Sequence, residues 1–338
     1  MASTIKDVAK SAGVSIATVS RVLNKSEKVK EETRTKILKA IADVGYKPSV
    51  IFGTQSVQAI RVFIPENSFE EFGPLFSGIR EVAESSGYEA ILYPVSENEK
   101  KGMSLYEEVF RKKTHGVITV TRWMDRNLCN EEYFEDIPTV KIFNGKLKLN
   151  GRNSDFNFDS VGVDSEIIIS MAVNELIASE HKRILVISSD KSYICIEDTK
   201  NIVDNLNHEN PGIEIEILKM SGKSSEELVS ICRKKFYNCL GKYDGIICQT
   251  DLLAAALYKV LRENELNVPD DVSVIGMGNS SFSEYLLPSL SSISFPKEEI
   301  GRNAMKMLVE RVENKKNENA VSRNMIFSAT LNRRESIK

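Results

Sequence analysis

Apolar positions over the first 48 residues recur at helical spacing, and beyond residue 58 the rhythm changes to strands alternating with helices. In "TIKDVAKSAG" the stripe Ile5, Val8, Ala9 and Ala12 predicts a short helix that Thr4 can cap. Gly13 follows, a residue suited to a left-handed turn, and Ser15 stands where a second helix needs its cap. Val19, Val22 and Leu23 form the inward stripe of that second helix. "KEETRTKILKAIADVGY" predicts a third, with Ile37, Leu38, Ile41 and Val44 inward and Glu31 and Glu32 at the positive end of its dipole. Gly45 ends it and Pro48 prevents resumption. Two short helices around a tight glycine turn, with Ala9 small enough to let them approach, make a helix-turn-helix pattern.

In the body, "IRVFIP", "YEAILYPV", "GVITVT", "TVKIF", "SVGVD", "RILVISS", "IEIEIL", "GIICQT" and "VSVIGM" read as strands. Amphipathic helices fall between them: "PLFSGIREVAESSG", a stretch from Leu105 to Lys112, one near Glu166–Ser179, a polar one at Asp198–Leu206, then Ser225–Tyr237 and Asp251–Asn264. Such alternation means βαβ units and parallel sheets. About 280 residues of it exceed one ordinary domain, so two lobes are expected. The fold class is α/β: a three-helix domain over 1–48, a linker over 49–58 and a two-lobed core over 59–338. Ligands of open sheets bind outside the carboxyl ends of strands, here the cleft between lobes.

Charge sharpens the division. Residues 1–58 hold eight Lys and two Arg against five acids, a net +5, while the remainder holds 35 bases against 43 acids, a net −8. A basic head on an acidic body points to a polyanion partner for the head alone. The outward residues of the second helix, Ile16, Ala17, Ser20 and Arg21, include no acid. In a helix-turn-helix these residues meet base edges in the major groove. Ile16 and Ala17 suit thymine methyls, and Arg21 suits a guanine or a phosphate. Thr4, Ser15, Thr18, Ser20, Asn24 and Thr33 can donate to phosphates, and Lys6 can reach either target.

"IKDVAKSAGVSIATVSRVLN", followed by "TR" and "GYKP", closely resembles the N-terminus of lactose-repressor (LacI) family regulators, without a gap from about Thr4 to Pro48. The body segments "FSGIREVAESSGY", "DGIICQTDLLAAALYKVL", "VPDDVSVIG", "PSLSSISFPKEEIGRNAMKML" and "LNRRES" resemble the same family's effector-binding core, which is like periplasmic sugar-binding proteins. The resemblance implies a homodimeric repressor on a near-palindromic double-stranded operator, controlled by a small-molecule effector, a sugar or sugar derivative, in the cleft. It implies two strands crossing between the lobes, with lobe 1 at about 59–159 and 292–322 and lobe 2 at about 160–291 and 323–338. A dimer is expected over a tetramer, because no heptad tail follows "LNRRES".

Three departures from the family pattern concern control. Where the family has an Arg and then a Gly opening the helix after "RILVISS", this chain has Asp198 and Asn201; where it has an Asp after "VSVIG", this chain has Gly278, with Asn279 next. The planar donor and the carboxylate acceptor that grip sugar hydroxyls are thus both absent. A changed ligand, cationic with Asp198 as counter-charge, is one reading; a shifted register and a vestigial pocket are the others. Phe69, Phe72 and Trp123 are candidate stacking residues or plain core, and Asp251, at a helix start, is a cap or a pocket group. The linker "PSVIFGTQSVQAI" carries Ser49, Phe52, Gly53 and Gln55 where the family has Asn, Ala, Arg and Leu. A hinge helix is disfavoured by Gly53 and the β-branched Val50 and Ile51, so any minor-groove wedge falls to Ile51 or Phe52 rather than Gln55.

Other classes fit less well. Gly276, Gly278 and Ser281 fall one glycine short of a dinucleotide fingerprint, and no HExxH, GxSxG or P-loop occurs, so neither an enzyme nor a cofactor is expected. Cys129, Cys195, Cys232, Cys239 and Cys248 form no CxxC pair and read as reduced thiols, with no metal site expected. No apolar run approaches the roughly 20 residues that span a bilayer, and "MASTIKDVAK" has no signal-peptide core, so a cytoplasmic location is expected. A free sugar-binding protein of the same fold would have no use for the head.

Overall fold

The computed structural model describes residues 4–23, 29–44, 58–65, 69–95, 114–120, 137–144, 158–189, 192, 194, 196–220, 225–236, 241–314 and 321–338. Contacts divide the chain into two compact units, Met1–Gln58 and Ala59–Lys338. Candidates Asn24, Ile51, Phe52, Gln55 and Trp123, linker residues 49–57 and the helix expected at Leu105–Lys112 lie outside the described residues.

The first unit holds α1 (Ile5–Ala12), α2 (Ile16–Leu23) and α3 (Glu31–Val44). Its core is Val8, Ala9, Val19, Val22, Ile37 and Ala40, with Ala12, Val14, Val29 and Ile41 packed around it. Leu38 departs from expectation. It is 54% exposed while Ala40 is buried. One residue past Ile37 lies about 100° around a helix, so the inward stripe of α3 is Ile37, Ala40 and Ile41.

The second unit carries two six-stranded sheets among the described residues. Its strands are β1 (Ala59–Pro65), β2 (Glu89–Val95), β3 (Gly116–Thr119), β4 (Thr139–Asn144), β5 (Asp159–Val163), β6 (Arg183–Ser189), β7 (Glu214–Met220), β8 (Gly245–Cys248), β9 (Ser273–Met277), β10 (Ser291–Ser294), β11 (Asn324–Phe327) and β12 (Thr330–Asn332). Its helices are α4 (Phe69–Ser85), α5 (Ser165–Ala178), α6 (Ile196–Glu209), α7 (Ser225–Phe236), α8 (Asp251–Glu263) and α9 (Lys297–Glu313). The first sheet runs β11-β5-β4-β3-β1-β2 and is parallel throughout. The second runs β12-β10-β9-β8-β6-β7 and is parallel except for β12 against β10. Central strands are buried along their length, as parallel strands covered on both faces must be.

The chain passes between the lobes three times: after β5, after β10 and after β11. Each passage falls a strand's length from its expected place. β5 joins the first sheet rather than opening the second, β10 stays in the second, and β11 returns to the first. Hydrogen-bond pairing decides this. Val140 to Asn144 of β4 are in register with Asp159 to Val163, while Ser291 to Ile293 are in register with Ile275 to Met277 of β9.

α4 also begins earlier than the sequence pattern, at Phe69 instead of Pro74. A proline this close to the first turn sacrifices a single backbone bond, so the helix tolerates it. Phe72, Leu75, Ile79 and Ala83 then face the core at helical spacing. α4 packs against α9, which covers β3, β4 and β5.

Candidate functional site

The head is rigid at its turn. Asp7 accepts from the Thr4 backbone N–H (2.8 Å) and hydroxyl (2.7 Å), and these two bonds hold its carboxyl below the usual carboxylate range. α1 ends at Gly13, φ 66°, where the Val14 N–H donates to the Ala9 carbonyl at 3.0 Å. Ser15 Oγ accepts from the Thr18 N–H at 3.1 Å and shares a 2.8 Å bond with the Thr18 hydroxyl. A cap of this kind contributes about 1 kcal/mol. It also fixes where α2 starts.

Around α2, Val19 and Val22 are buried while Ile16, Ala17 and Arg21 are exposed, Ile16 by 45%. A branched apolar side chain left in solvent gains nothing for the fold. Lys6 is exposed, and Thr18 and Thr33 are half-buried. Ser20 lies on α2, its side chain outside the described residues.

In the second unit, the carboxyl ends of β9 and β10 meet the start of α9 around a cavity of about 500 Å³. Pro74 of α4, Gly278, Asn279, Ser281, Phe295 and Lys297 are among its walls. Gly278 has φ 115° and Asn279 φ 46°, so this loop takes a backbone that few side chains allow.

Asp251 lies behind the loop, fully buried. It accepts from the Ser292 hydroxyl (2.6 Å) and the Ser280 N–H (2.5 Å). Burial pushes its carboxyl up, and those same bonds oppose the shift. Asp251 does not cap α8: Thr250 does, accepting from the Leu253 N–H at 3.2 Å. Nor is Asp251 open to the cavity, since both oxygens serve to join α8, the loop and β10. Gly276 makes room for it, because a Cβ there would collide with the Asp251 carboxylate.

The other candidates scatter. Asp198 lies in the first turn of α6, half-buried. Its neighbour Thr199, absent from the sequence reading, is fully buried and accepts from Gln249 Nε2 at 2.7 Å. Phe72 sits in the core with 1% exposure, and Phe69 starts α4 with its side chain outside the described residues. Phe295 and Lys297 were missed, and Ser281 was weighed only as part of a dinucleotide motif; the one signal for Phe295 and Lys297 was position within three residues of the carboxyl end of β10. Cys232 and Cys248 are buried free thiols, Cys232 pushed up to about 12 by burial.

Residues 4–49 match the family model for bacterial regulatory proteins of the lacI family, and residues 173–337 match the periplasmic binding protein-like domain. The transcriptional regulator RegA of Clostridium saccharobutylicum is 29% identical over 326 residues, covering 93% of this chain and 94% of that protein. The transcriptional repressor PurR of Vibrio vulnificus is 26% identical over 323 residues, 94% of each. The lac repressor bound to ONPG superposes with a TM-score of 0.76 at 18% identity, over 99% of this chain and 100% of that one. The regulator CelR in complex with cellobiose superposes at 0.66 and 22% identity, over 98% and 99%. The chain belongs to the lacI family of bacterial regulatory proteins and is a transcriptional regulator with an N-terminal DNA-binding domain and a periplasmic-binding-protein-like effector domain.

Proposed function

We propose that this protein is a cytoplasmic repressor that binds a near-palindromic operator as a homodimer and releases or grips it according to a small molecule in the cleft. The observation that carries this reading is the acid-free face of α2, with Ile16, Ala17 and Arg21 exposed behind a doubly capped turn. Ile16 and Ala17 read thymine methyls, Arg21 reads guanine, and Thr4, Lys6, Ser15, Thr18, Ser20, Asn24 and Thr33 hold phosphates. One such head covers a half-site, and two heads about one helical turn apart give useful affinity.

Self-association is supported by a loop tip on the second lobe, where Tyr285 is 79% and Leu287 90% exposed. Large apolar groups in water mark a contact surface. A lac repressor dimer bound to operator is among the solved relatives, at a TM-score of 0.73. The cavity supports an effector, and relatives of this fold hold cellobiose or ribose. A sugar or sugar derivative is therefore the first class to try, with Gly278, Asn279 and the neighbouring loop as its surroundings.

Selection of duplexes from a random pool by the full chain tests the reading. Enrichment of a two-fold-related site whose affinity falls steeply with salt is expected. Recovery of no preferred sequence would refute it. Calorimetry against sugars, sugar phosphates and amines then identifies the ligand class.

A further inference from the structure

The cavity wall and the exposed tip belong to one loop. Residues 278–290 leave β9 at the cavity, run out through a 3-10 turn (Ser283–Tyr285) to Leu287, and return to β10. The Arg334 guanidinium bridges the two sides of this loop's neck, next to Glu335, which accepts from the Ser289 N–H (2.9 Å) and hydroxyl (3.0 Å). Arg334 Nη2 donates to Asn279 Oδ1 at 2.9 Å, and Arg334 Nη1 donates to the Leu290 carbonyl at 2.6 Å. The Arg334 backbone N–H donates to the Ser291 hydroxyl at 2.8 Å, which anchors the arginine to β10. Halfway along, Ser283 Oγ donates to the Ser280 carbonyl (2.6 Å), and the Leu290 N–H donates to the Ser283 carbonyl (2.8 Å). The neck and middle are tied, and the tip they present is Tyr285 and Leu287.

We propose that Arg334 is a positioning residue for the subunit contact, and that its bond to Asn279 joins the cavity wall to that contact. The inference rests on the reading of the tip as the self-association surface. Asn279 faces the cavity and holds its backbone at φ 46° with its N–H on Ser292 Oγ at 3.0 Å. A cavity occupant that donates to Asn279 Oδ1 competes with Arg334. The bond it displaces is charge-assisted and of the stronger kind. Once the neck opens, association must order the tip again, and the dimer weakens. By linkage, dimer formation disfavours that occupant to the same degree.

Sedimentation velocity of the full chain measures the dimer dissociation constant. Asn279→Gly removes the carboxamide and keeps a residue that accepts the positive φ, so it mimics the displaced state. It should weaken the dimer about tenfold. Asn279→Asp keeps the acceptor and should retain wild-type association. Arg334→Gln should weaken it as well, and adding Asn279→Gly should then cost little more. Leu287→Ser probes the surface itself and should separate the subunits. Wild-type association in Asn279→Gly and Arg334→Gln, alongside dissociation in Leu287→Ser, overturns the clasp and leaves the surface standing. Wild-type association in Leu287→Ser overturns the surface and the clasp with it. Should Arg334→Gln fail a thermal melt, the Gly and Asp variants of Asn279 decide the matter.

Discussion

Gly78 of α4 lies directly against the backbone carbonyl of Glu298 in α9. A Cβ at Gly78 would enter that oxygen, and a Cβ at Gly301 would enter the Leu75 carbonyl in return. Two helices thus meet backbone to backbone through reciprocal glycines, in the lobe that receives the chain from the linker. Arg302 reinforces the crossing by donating to Glu81 at 2.8 Å. Gly78→Ala and Gly301→Ala should each destabilise the second unit by roughly 1–3 kcal/mol, because backbone atoms cannot move aside as a flexible side chain would. Gly73→Ala, with open space around it, serves as the control in urea denaturation.

Asp159 should matter as much to the same lobe. It is fully buried at the start of β5 and accepts from Arg311 Nη2 (2.7 Å) and Arg323 Nη2 (2.7 Å). Burial alone would raise its carboxyl, but the bonds from Arg311 and Arg323 outweigh it and hold the group below the usual range. Asp159→Asn should cost about 2 kcal/mol. This is below the 3–5 typical of a broken buried pair, since Arg323 is 42% exposed and solvent screens it. A carboxyl with a depressed folded pKa contributes its stability above its unfolded pKa and loses it as pH falls through the folded value. Wild type and Asp159→Asn should therefore differ fully above the ordinary carboxylate range and draw together only as pH falls below it, through the lowered folded pKa, which denaturation at a series of pH values would read.

On the recognition helix, Arg21→Ala should lower affinity for the selected operator by about 1–3 kcal/mol and relax preference at one base pair. Ile16→Ala should cost less and act on a thymine-bearing position. Lys6→Ala should weaken all duplexes alike and flatten the salt dependence by about one unit. Fluorescence anisotropy on the selected site and its single-base variants separates these three behaviours.

The linker gives a paired comparison. If an apolar wedge enters the minor groove, Phe52→Ala weakens operator binding more than Gln55→Ala, because only Phe52 can unstack a base step. Equal and negligible losses in a gel-shift titration would argue against any wedge.

Much of the head was legible in sequence because its determinants are local. Caps at Thr4 and Ser15, the left-handed Gly13 and apolar stripes act over eight residues or fewer each, and the caps, the turn and the stripe residues Val8, Ala9, Ala12, Val19 and Val22 recur in the structure, the side chains of Ile5 and Leu23 lying outside the described residues. Leu38 was misassigned because a stripe counted by apolar residues alone ignores which neighbour, Ala40, fits a narrow contact. The strand rhythm of the body was legible for a similar reason: parallel strands are continuous apolar runs between amphipathic helices.

What the sequence determined by itself was the two-part organisation, the helix-turn-helix and the α/β character, all consequences of periodicity and turn chemistry within short windows. Only the tertiary structure decided which sheet each crossing strand joins, because pairing is chosen among partners far apart in the chain. It also decided that Asp251 is buried as a joint instead of lining the cavity, and that Arg334 reaches back 55 residues to Asn279. Such contacts depend on where distant backbones come to rest, and no local pattern of residues encodes that distance.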